Sequence, residues 1–213
     1  MEKYIEHTLL KQDATEKELI NLFEEAKKYK FLGVCINPCY VKLAHDYLKG
    51  SDVKIVTVIG FPLGANKTEV KVFETKCAIE DGADEVDMVI NVTWLKDKKY
   101  DFIINEIKEI KKAAGNHILK VILETDLLTK EEIKKACELC IEGGADIVKT
   151  STGFVKNGVG AKEEDVKLMY ETVSKHGLQV KASGGIRDRE AAERMIKAGA
   201  TRLGTSSGVK IVS

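Results

Sequence analysis

Three kinds of segment recur in the same order along the whole chain: a short apolar run rich in β-branched residues, a glycine-containing or polar turn, and a charged amphipathic helix. This alternation predicts right-handed βαβ units and a parallel sheet that is buried on both faces. The step from helix to strand also repeats, in DGADEVD, GGADIVK and AGATRLG, where a helix ends at glycine and a small residue precedes the next run. Seven strands are clear and an eighth is possible: Gly33–Pro38, Lys54–Gly60, Glu85–Asn91, Leu119–Thr125, Asp146–Thr152, Gln179–Gly185 and Arg202–Ser207, with Ile5–Leu10 as the eighth.

Eight such units in 213 residues predict an α/β protein in which residues 1–213 form one (β/α)8 TIM-barrel domain. The alternative is an open doubly wound sheet, but that fold usually carries a glycine-rich dinucleotide turn after its first strand, and none is found here. Asn66 and Thr129 are the expected N-caps of two helices. The predicted helices are Thr15–Lys30, Asn66–Gly82, Thr129–Gly144, Ala161–Gly177 and Arg187–Gly199.

Composition excludes several classes of function. Lys plus Arg and Asp plus Glu are equal at 34 each, which argues against a nucleic-acid or anionic-membrane surface. The start of the chain has no apolar signal region, and no apolar run is long enough to span a bilayer. Five cysteines, an odd number, predict reduced thiols and a soluble cytoplasmic protein. The CELC segment (Cys137–Cys140) lies in a helical pattern without a second cysteine pair, so we predict no metal site, and no motif indicates a cofactor.

Two lysines stand inside runs that otherwise predict buried strands, Lys149 in IVKTSTGF and Lys181 in QVKASGGI. If these faces point inward, both amines enter one interior from neighbouring strands, which lie about 4.8 Å apart. Burial and a like charge both lower the pKa of an amine, and a neutral amine can condense with a carbonyl to form a Schiff base. The residues alone do not distinguish which lysine is the nucleophile. The alternative for each is a half-buried lysine that is paired with a carboxylate.

A carboxylate inside an apolar run is as unexpected as a lysine there. Asp87 lies in the middle of the apolar run EVDMVIN. Pairing with Lys181 would partly neutralise its charge, and it could also transfer protons during imine formation. A structural counter-ion would have the same appearance in the sequence. Glu124, at the end of VILE, is a weaker inward candidate.

The segments SGGIR and GTSSG follow the last two predicted strands. Loops at these positions frequently bind phosphate in a (β/α)8 barrel through backbone N–H groups and hydroxyls. We therefore predict a small-molecule phosphate site there.

In these motifs the chain resembles the deoxyribose-phosphate aldolases, a family of class I, metal-independent aldolases. The resemblance covers nearly the whole length in the order EHTLL, VCINP, VIGFPLG, ADEVDMVINV, LKVILET, VKTSTGF, VKASGGIR and LGTSSG. It implies a barrel lyase that cleaves 2-deoxy-D-ribose 5-phosphate to acetaldehyde and D-glyceraldehyde 3-phosphate, with a possible dimer or tetramer.

The resemblance also assigns roles to individual residues. Lys149 would form the imine, Lys181 would lower the pKa of Lys149 and assist proton transfer, and Asp87 would act as the acid/base relay. The implied phosphate-binding residues are Gly153, Gly184, Gly185, Arg187, Gly204, Ser206 and Ser207.

Three departures from the family pattern limit these expectations. Glu6 stands where aspartate is usual, so a polar role there is uncertain. Phe154 replaces a lysine of some relatives, which removes one phosphate contact. The chain ends soon after GTSSG, so protonation of the enamine would rely more on water. Two other functions are compatible with the barrel: a phosphosugar isomerase with Glu124 or Asp87 as the base, and a non-catalytic phosphometabolite-binding module.

Overall fold

Eight parallel strands close into a ring in the computed structural model, which describes residues 1–213. Each strand pairs with the next one in the chain, and β8 pairs with β1. The predicted TIM barrel and its eighth strand near the N-terminus are therefore confirmed. The strands are β1 (Ile5–Leu9), β2 (Gly33–Ile36), β3 (Lys54–Ile59), β4 (Glu85–Val89), β5 (Ile118–Ile122), β6 (Ile147–Lys149), β7 (Gln179–Ser183) and β8 (Arg202–Thr205).

Nine α-helices surround or cap this barrel. The five predicted helices are present, and Thr129 forms the expected capping box with Glu132. The Asn66 cap was wrong, because that helix begins at Thr68 and no side chain caps it. The helices are α1 (Glu16–Tyr29), α2 (Val41–Leu48), α3 (Thr68–Glu80), α4 (Val92–Lys96), α5 (Tyr100–Ala114), α6 (Lys130–Gly143), α7 (Glu163–Val173), α8 (Arg189–Lys197) and α9 (Gly208–Val212). None of them combines the length and the apolar character needed to cross a bilayer.

The apolar core has two unequal parts. A cluster of 47 buried residues contains apolar side chains of both the sheet and the helices. A separate cluster of four, Leu10, Cys35, Val56 and Val58, belongs to the β1–β3 side of the barrel. Residues paired in neighbouring parallel strands point to the same face, so Val58 shares its face with Asp87, and Asp87 shares it with Lys120. The barrel interior is therefore apolar beside β2 and β3 and charged beside β4 and β5.

Candidate active site

Six charged side chains meet inside the barrel, and their residues are at most 4% exposed. They come from five strands, because each strand places alternate side chains inward. Strand pairing sets Asp87 beside Lys120 and Lys149 beside Lys181. The set comprises three carboxylates and three ammonium groups, Glu6, Glu85, Asp87, Lys120, Lys149 and Lys181.

Asp87 is the centre of this cluster. Its Oδ1 accepts a hydrogen bond from Lys120 Nζ at 2.8 Å. Its Oδ2 accepts from Lys149 Nζ at 2.9 Å and from Lys181 Nζ at 2.7 Å. Sharing one oxygen atom brings the two lysines that the sequence singled out within a few ångströms of each other. The structure therefore places both Lys149 and Lys181 in direct contact with Asp87.

Two carboxylates of the cluster, Asp87 and Glu6, are held in their charged form. Burial disfavours ionisation of Asp87, but Lys120, Lys149 and Lys181 outweigh burial and hold the pKa of Asp87 well below its usual range. Glu6 is buried in the same way, and Lys120 and Lys181 lower its pKa. The sequence analysis left a polar role for Glu6 in doubt, and the structure shows that it has one. Its carboxylate pairs with Lys181 and lies 3.5 Å from Lys120 Nζ.

Two of the three lysines are held as ammonium ions. Burial works against the charge on Lys181, but Asp87 and Glu6 more than compensate, so the pKa of Lys181 is raised. The pKa of Lys120 is raised for the same reason. The residues alone left open which of the two interior amines loses its proton, and the two carboxylates around Lys181 make it the one that stays charged.

Access distinguishes the two predicted lysines. Lys181 is 0% exposed and has two carboxylate partners, Asp87 and Glu6. Lys149 has one carboxylate partner, and its side chain lines a cavity that opens to solvent. Of these two amines, Lys149 is thus the one that a small molecule in the cavity can reach.

This cavity has a volume of about 420 Å³ and contains most of the predicted phosphate-binding residues. Ser207 is the exception, because it does not line the cavity and its N–H donates to Thr205 Oγ1 at 2.9 Å. The predicted residues that do line it are Gly153, Gly184, Gly185, Arg187, Gly204 and Ser206.

Several backbone donors in this lining have no partner in the chain. The N–H groups of Gly153, Gly185 and Ser206 make no hydrogen bond to another group of the protein. Gly185 has a φ of +76°, and a Cβ atom there would lie 2.4 Å from Val159 O. The residue at 185 must therefore be glycine for the loop after β6 to pack against the loop after β7. Arg187 adds a positive charge, so the arrangement suits an anion.

Three residues at or near this cavity were not predicted. Lys120 is central to the charged cluster. It was missed although it meets the criterion that singled out Asp87, since it too is a charged residue inside an apolar strand. Lys11 lines the cavity and pairs with Glu18 at 2.6 Å. Thr152 lines it as well and is held by Glu124.

Glu124 occupies an unusual backbone conformation, with φ of +62° in a buried non-glycine residue. Its Oε1 accepts from the N–H of Thr152 at 3.0 Å, and its Oε2 accepts from the Thr152 hydroxyl. Burial raises the pKa of Glu124. Both carboxylate oxygens are therefore committed to fixing the chain just after Lys149.

The cysteine pair of α6 lies away from this site. Cys137 and Cys140 are buried in the core, and burial raises the pKa of both thiols. A buried thiol with a raised pKa is unreactive. No group of three or more His, Cys, Asp or Glu side chains is placed to hold a metal ion.

The chain is similar to known proteins over its whole length. A family model described as DeoC/LacD family aldolase matches residues 1–213. A deoxyribose-phosphate aldolase from Clostridium botulinum (strain Kyoto / Type A2) is 59% identical over 212 residues, which cover 100% of this chain and 99% of that protein. A solved aldolase designated QR15 has a TM-score of 0.93 at 48% identity and covers 99% of this chain and 93% of its own. A tetrameric deoxyribose phosphate aldolase from Aeropyrum pernix has a TM-score of 0.89 at 35% identity, with 98% and 88% covered.

Proposed function

The chain belongs to the DeoC/LacD family of aldolases, and on this premise we propose that it reversibly cleaves 2-deoxy-D-ribose 5-phosphate through a Schiff base on Lys149. The products are acetaldehyde and D-glyceraldehyde 3-phosphate. As an aldolase, the enzyme is a carbon–carbon lyase. The observation that carries the proposal is the Lys149 amine, which borders the cavity and shares an Asp87 oxygen with a second, fully buried ammonium group.

In the proposed reaction, Lys149 Nζ adds to the C1 aldehyde of the open-chain substrate, and loss of water gives an imine. The C3 hydroxyl then loses its proton, the C2–C3 bond breaks, and its electron pair passes into the imine to give an enamine. D-Glyceraldehyde 3-phosphate leaves. Protonation of the enamine at C2 and hydrolysis of the resulting imine release acetaldehyde and free Lys149.

The neighbouring charges have separate roles in this proposal. Lys181, which Asp87 and Glu6 hold in the protonated form, would donate to the carbinolamine oxygen as it leaves as water. Asp87 would pass protons between the amines and the substrate. It would not stay protonated itself, because its pKa is held well below its usual range. Lys120 would keep Asp87 ionised and in place.

The substrate phosphate is proposed to bind at the other end of the cavity. Gly184, Gly185, Gly204 and Ser206 would bring backbone N–H groups and a hydroxyl to it, with Arg187 as the cation. Gly153 and Ser207 stay predictions of the family resemblance, although the free N–H of Gly153 supports its inclusion. Anchoring this end would hold the C2–C3 bond over Lys149.

Further expectations concern the surroundings of the enzyme. We expect a homo-oligomer, a dimer or a tetramer, as the Aeropyrum pernix relative is described as tetrameric. We expect neither nucleic acid nor membrane as a partner, since the charges balance. A cytoplasmic location is supported by five free cysteines.

The isomerase alternative is weakened by the geometry of its two candidate bases. Both oxygens of Glu124 bond to Thr152, and the carboxylate of Asp87 faces three ammonium groups that hold its pKa low. Neither group is a free base beside the cavity.

Borohydride reduction in the presence of acetaldehyde tests the proposal. Reduction of the imine should leave one ethyl group on the protein, and peptide mapping should place it on Lys149. Lys149→Arg keeps the positive charge without an available nucleophile and should give no adduct and no acetaldehyde release from 2-deoxyribose 5-phosphate. An ethyl group on Lys181, or an active Lys149→Arg protein, would contradict the proposed mechanism.

A further inference from the structure

A layer of small residues lies between the charged cluster and the loops at the mouth of the barrel. Lys149 pairs with Lys181 in the register of β6 and β7, so these two residues form one inward layer. Two residues further along β7, Ser183 pairs with Gly204, and both line the cavity. Ser151 follows Lys149 by two residues and lines the cavity as well. The middle of the cavity is therefore bordered by these three small residues.

Most hydroxyl groups near this layer serve the fold. Ser183 Oγ donates to Ser151 O at 2.6 Å. The Thr150 hydroxyl donates to Ser183 O at 3.0 Å and accepts from the Ser183 N–H at 3.0 Å. The Thr152 hydroxyl donates to Glu124. These three hydroxyl groups hold the chain after β6 against its neighbours.

The hydroxyl of Ser151 has no such use. The residue is 1% exposed, and its Oγ makes no hydrogen bond to any other group of the chain. Folded proteins normally provide a partner for a buried polar group, because leaving one unpaired is costly. Since Ser151 lines the cavity, a molecule bound there can supply the missing partner.

The position of Ser151 along the cavity indicates which group of the substrate it meets. An ideal Cβ atom on Gly184 would lie 3.5 Å from Ser151 Cβ, so Ser151 is next to the loop that is proposed to bind phosphate. The two residues from Lys149 to Ser151 correspond to about 6.6 Å of extended chain. A substrate with C1 at Lys149 and its phosphate at Gly184 carries hydroxyl groups on C3 and C4 between these ends. The C4 hydroxyl is the one nearer the phosphate.

We propose that Ser151 Oγ binds the C4 hydroxyl of the substrate and makes the enzyme selective for phosphorylated aldehydes that carry an α-hydroxyl group. The inference rests on the proposed cleavage of 2-deoxyribose 5-phosphate. In the direction of synthesis, the same group is the C2 hydroxyl of D-glyceraldehyde 3-phosphate. A site that hydrogen-bonds a substrate hydroxyl discriminates against an analogue without it, because the buried group of the protein then stays unpaired. Ser151 is thus a specificity-determining residue.

Condensation of acetaldehyde with two acceptor aldehydes tests this assignment. D-Glyceraldehyde 3-phosphate carries the hydroxyl group, whereas 3-oxopropyl phosphate lacks it and keeps the phosphate. The wild type should prefer the first acceptor about tenfold or more in kcat/KM. Ser151→Ala should lower kcat/KM about tenfold for the first acceptor and change it less than about twofold for the second, so that the preference disappears. Mass spectrometry of the two products gives the rates.

Ser183→Ala is the matched control, since it removes a hydroxyl of the same layer that already donates to Ser151 O. It should lower the midpoint of urea unfolding and keep the preference for the hydroxylated acceptor. Ser151→Ala should not lower that midpoint, because its hydroxyl has no partner within the chain to lose. A preference that survives in Ser151→Ala, or an equal loss with both acceptors, would overturn the assignment.

Deuterium exchange into acetaldehyde separates this inference from the proposed Schiff base. In D2O, the enamine on Lys149 takes up deuterium at the methyl carbon of acetaldehyde without any acceptor, and proton NMR follows the exchange. Ser151→Ala should exchange at the wild-type rate, because the C4 hydroxyl takes no part in this step. Slower exchange in Ser151→Ala would contradict a role confined to the acceptor. A wild type without exchange would refute the Schiff base, and the inference would fail with it.

Discussion

Replacing Lys120 by methionine removes one charge from the buried cluster at nearly constant side-chain volume. Lys120 Nζ lies 2.6 Å from Glu85 Oε2, 2.8 Å from Asp87 Oδ1 and 3.5 Å from Glu6 Oε1, and the residue is 0% exposed. The variant would leave three buried carboxylates with too few cations. Removing one partner from a buried ion pair costs about 3–5 kcal/mol, and we expect Lys120→Met to lose that much stability at pH 7.

The loss should depend on pH in a defined direction. In the wild type, the pKa values of Asp87 and Glu6 lie below those of the unfolded chain, so these groups stabilise the fold above the unfolded pKa and lose that effect as pH falls through the folded pKa. Without Lys120 their folded pKa rises, and a carboxyl group takes up a proton at a higher pH than in the wild type. The stability difference between variant and wild type should then shrink by about 1.4 kcal/mol per pH unit for each proton bound.

Urea unfolding followed by circular dichroism at pH 7 and pH 5 measures both effects. Lys120→Met/Glu85→Gln removes one partner together with the lysine and should recover part of the loss, which a double-mutant cycle quantifies. Lys96→Met is the control, because Lys96 pairs with Glu132 at 2.6 Å on the surface and should cost less than about 1 kcal/mol. A Lys120→Met protein as stable as the wild type, or a loss that is equal at both pH values, would refute the charge-balance argument.

Two further predictions concern residues beside the cavity. Glu124→Ala removes both bonds to Thr152 and should lower kcat/KM about tenfold or more, whereas Glu124→Gln can still accept from the Thr152 N–H and should retain most activity. Equal losses in the two variants, measured by acetaldehyde release, would contradict a positioning role. Lys11→Ala should raise KM for 2-deoxyribose 5-phosphate a few-fold, with kcat little changed, because Lys11 lines the cavity as a cation. The same variant should not change KM for unphosphorylated 2-deoxyribose; an equal rise there would argue against a phosphate contact.

Local patterns were sufficient to predict the barrel, because each βα unit repeats the same alternation and all eight strands lie where apolar runs end in glycine or polar turns. The helices were predicted less completely. Helix α5 was missed, although Ile103, Ile107 and Ile110 have helical spacing and are all buried. Strand β6 is shorter than expected: it ends at Lys149, and Glu124 holds the chain beyond it through Thr152.

The charged cluster was only partly predictable, since its energetics depend on strand register. The sequence indicates that Lys149, Lys181 and Asp87 are out of place in apolar runs. It does not show that Lys120 pairs across β4 and β5 with Asp87, because these residues lie 33 positions apart. Nor does it show that Glu6 on β1 reaches past β8 to Lys181 on β7. The direction of the pKa shift of Lys181 depends on these contacts.

The contacts inside the barrel give the strongest physical reason for choosing Lys149 as the nucleophile. Lys120 lies within 3.5 Å of three carboxylates, and Lys181 contacts two, Asp87 and Glu6. Lys149 contacts Asp87 alone and borders the cavity, so the buried cluster depends on it less. Lys149→Met should consequently abolish acetaldehyde release while costing much less stability than Lys120→Met in the same urea titration. Equal destabilisation by the two substitutions would mean that the cluster depends on Lys149 as much as on Lys120, and the choice of nucleophile would lose this structural basis.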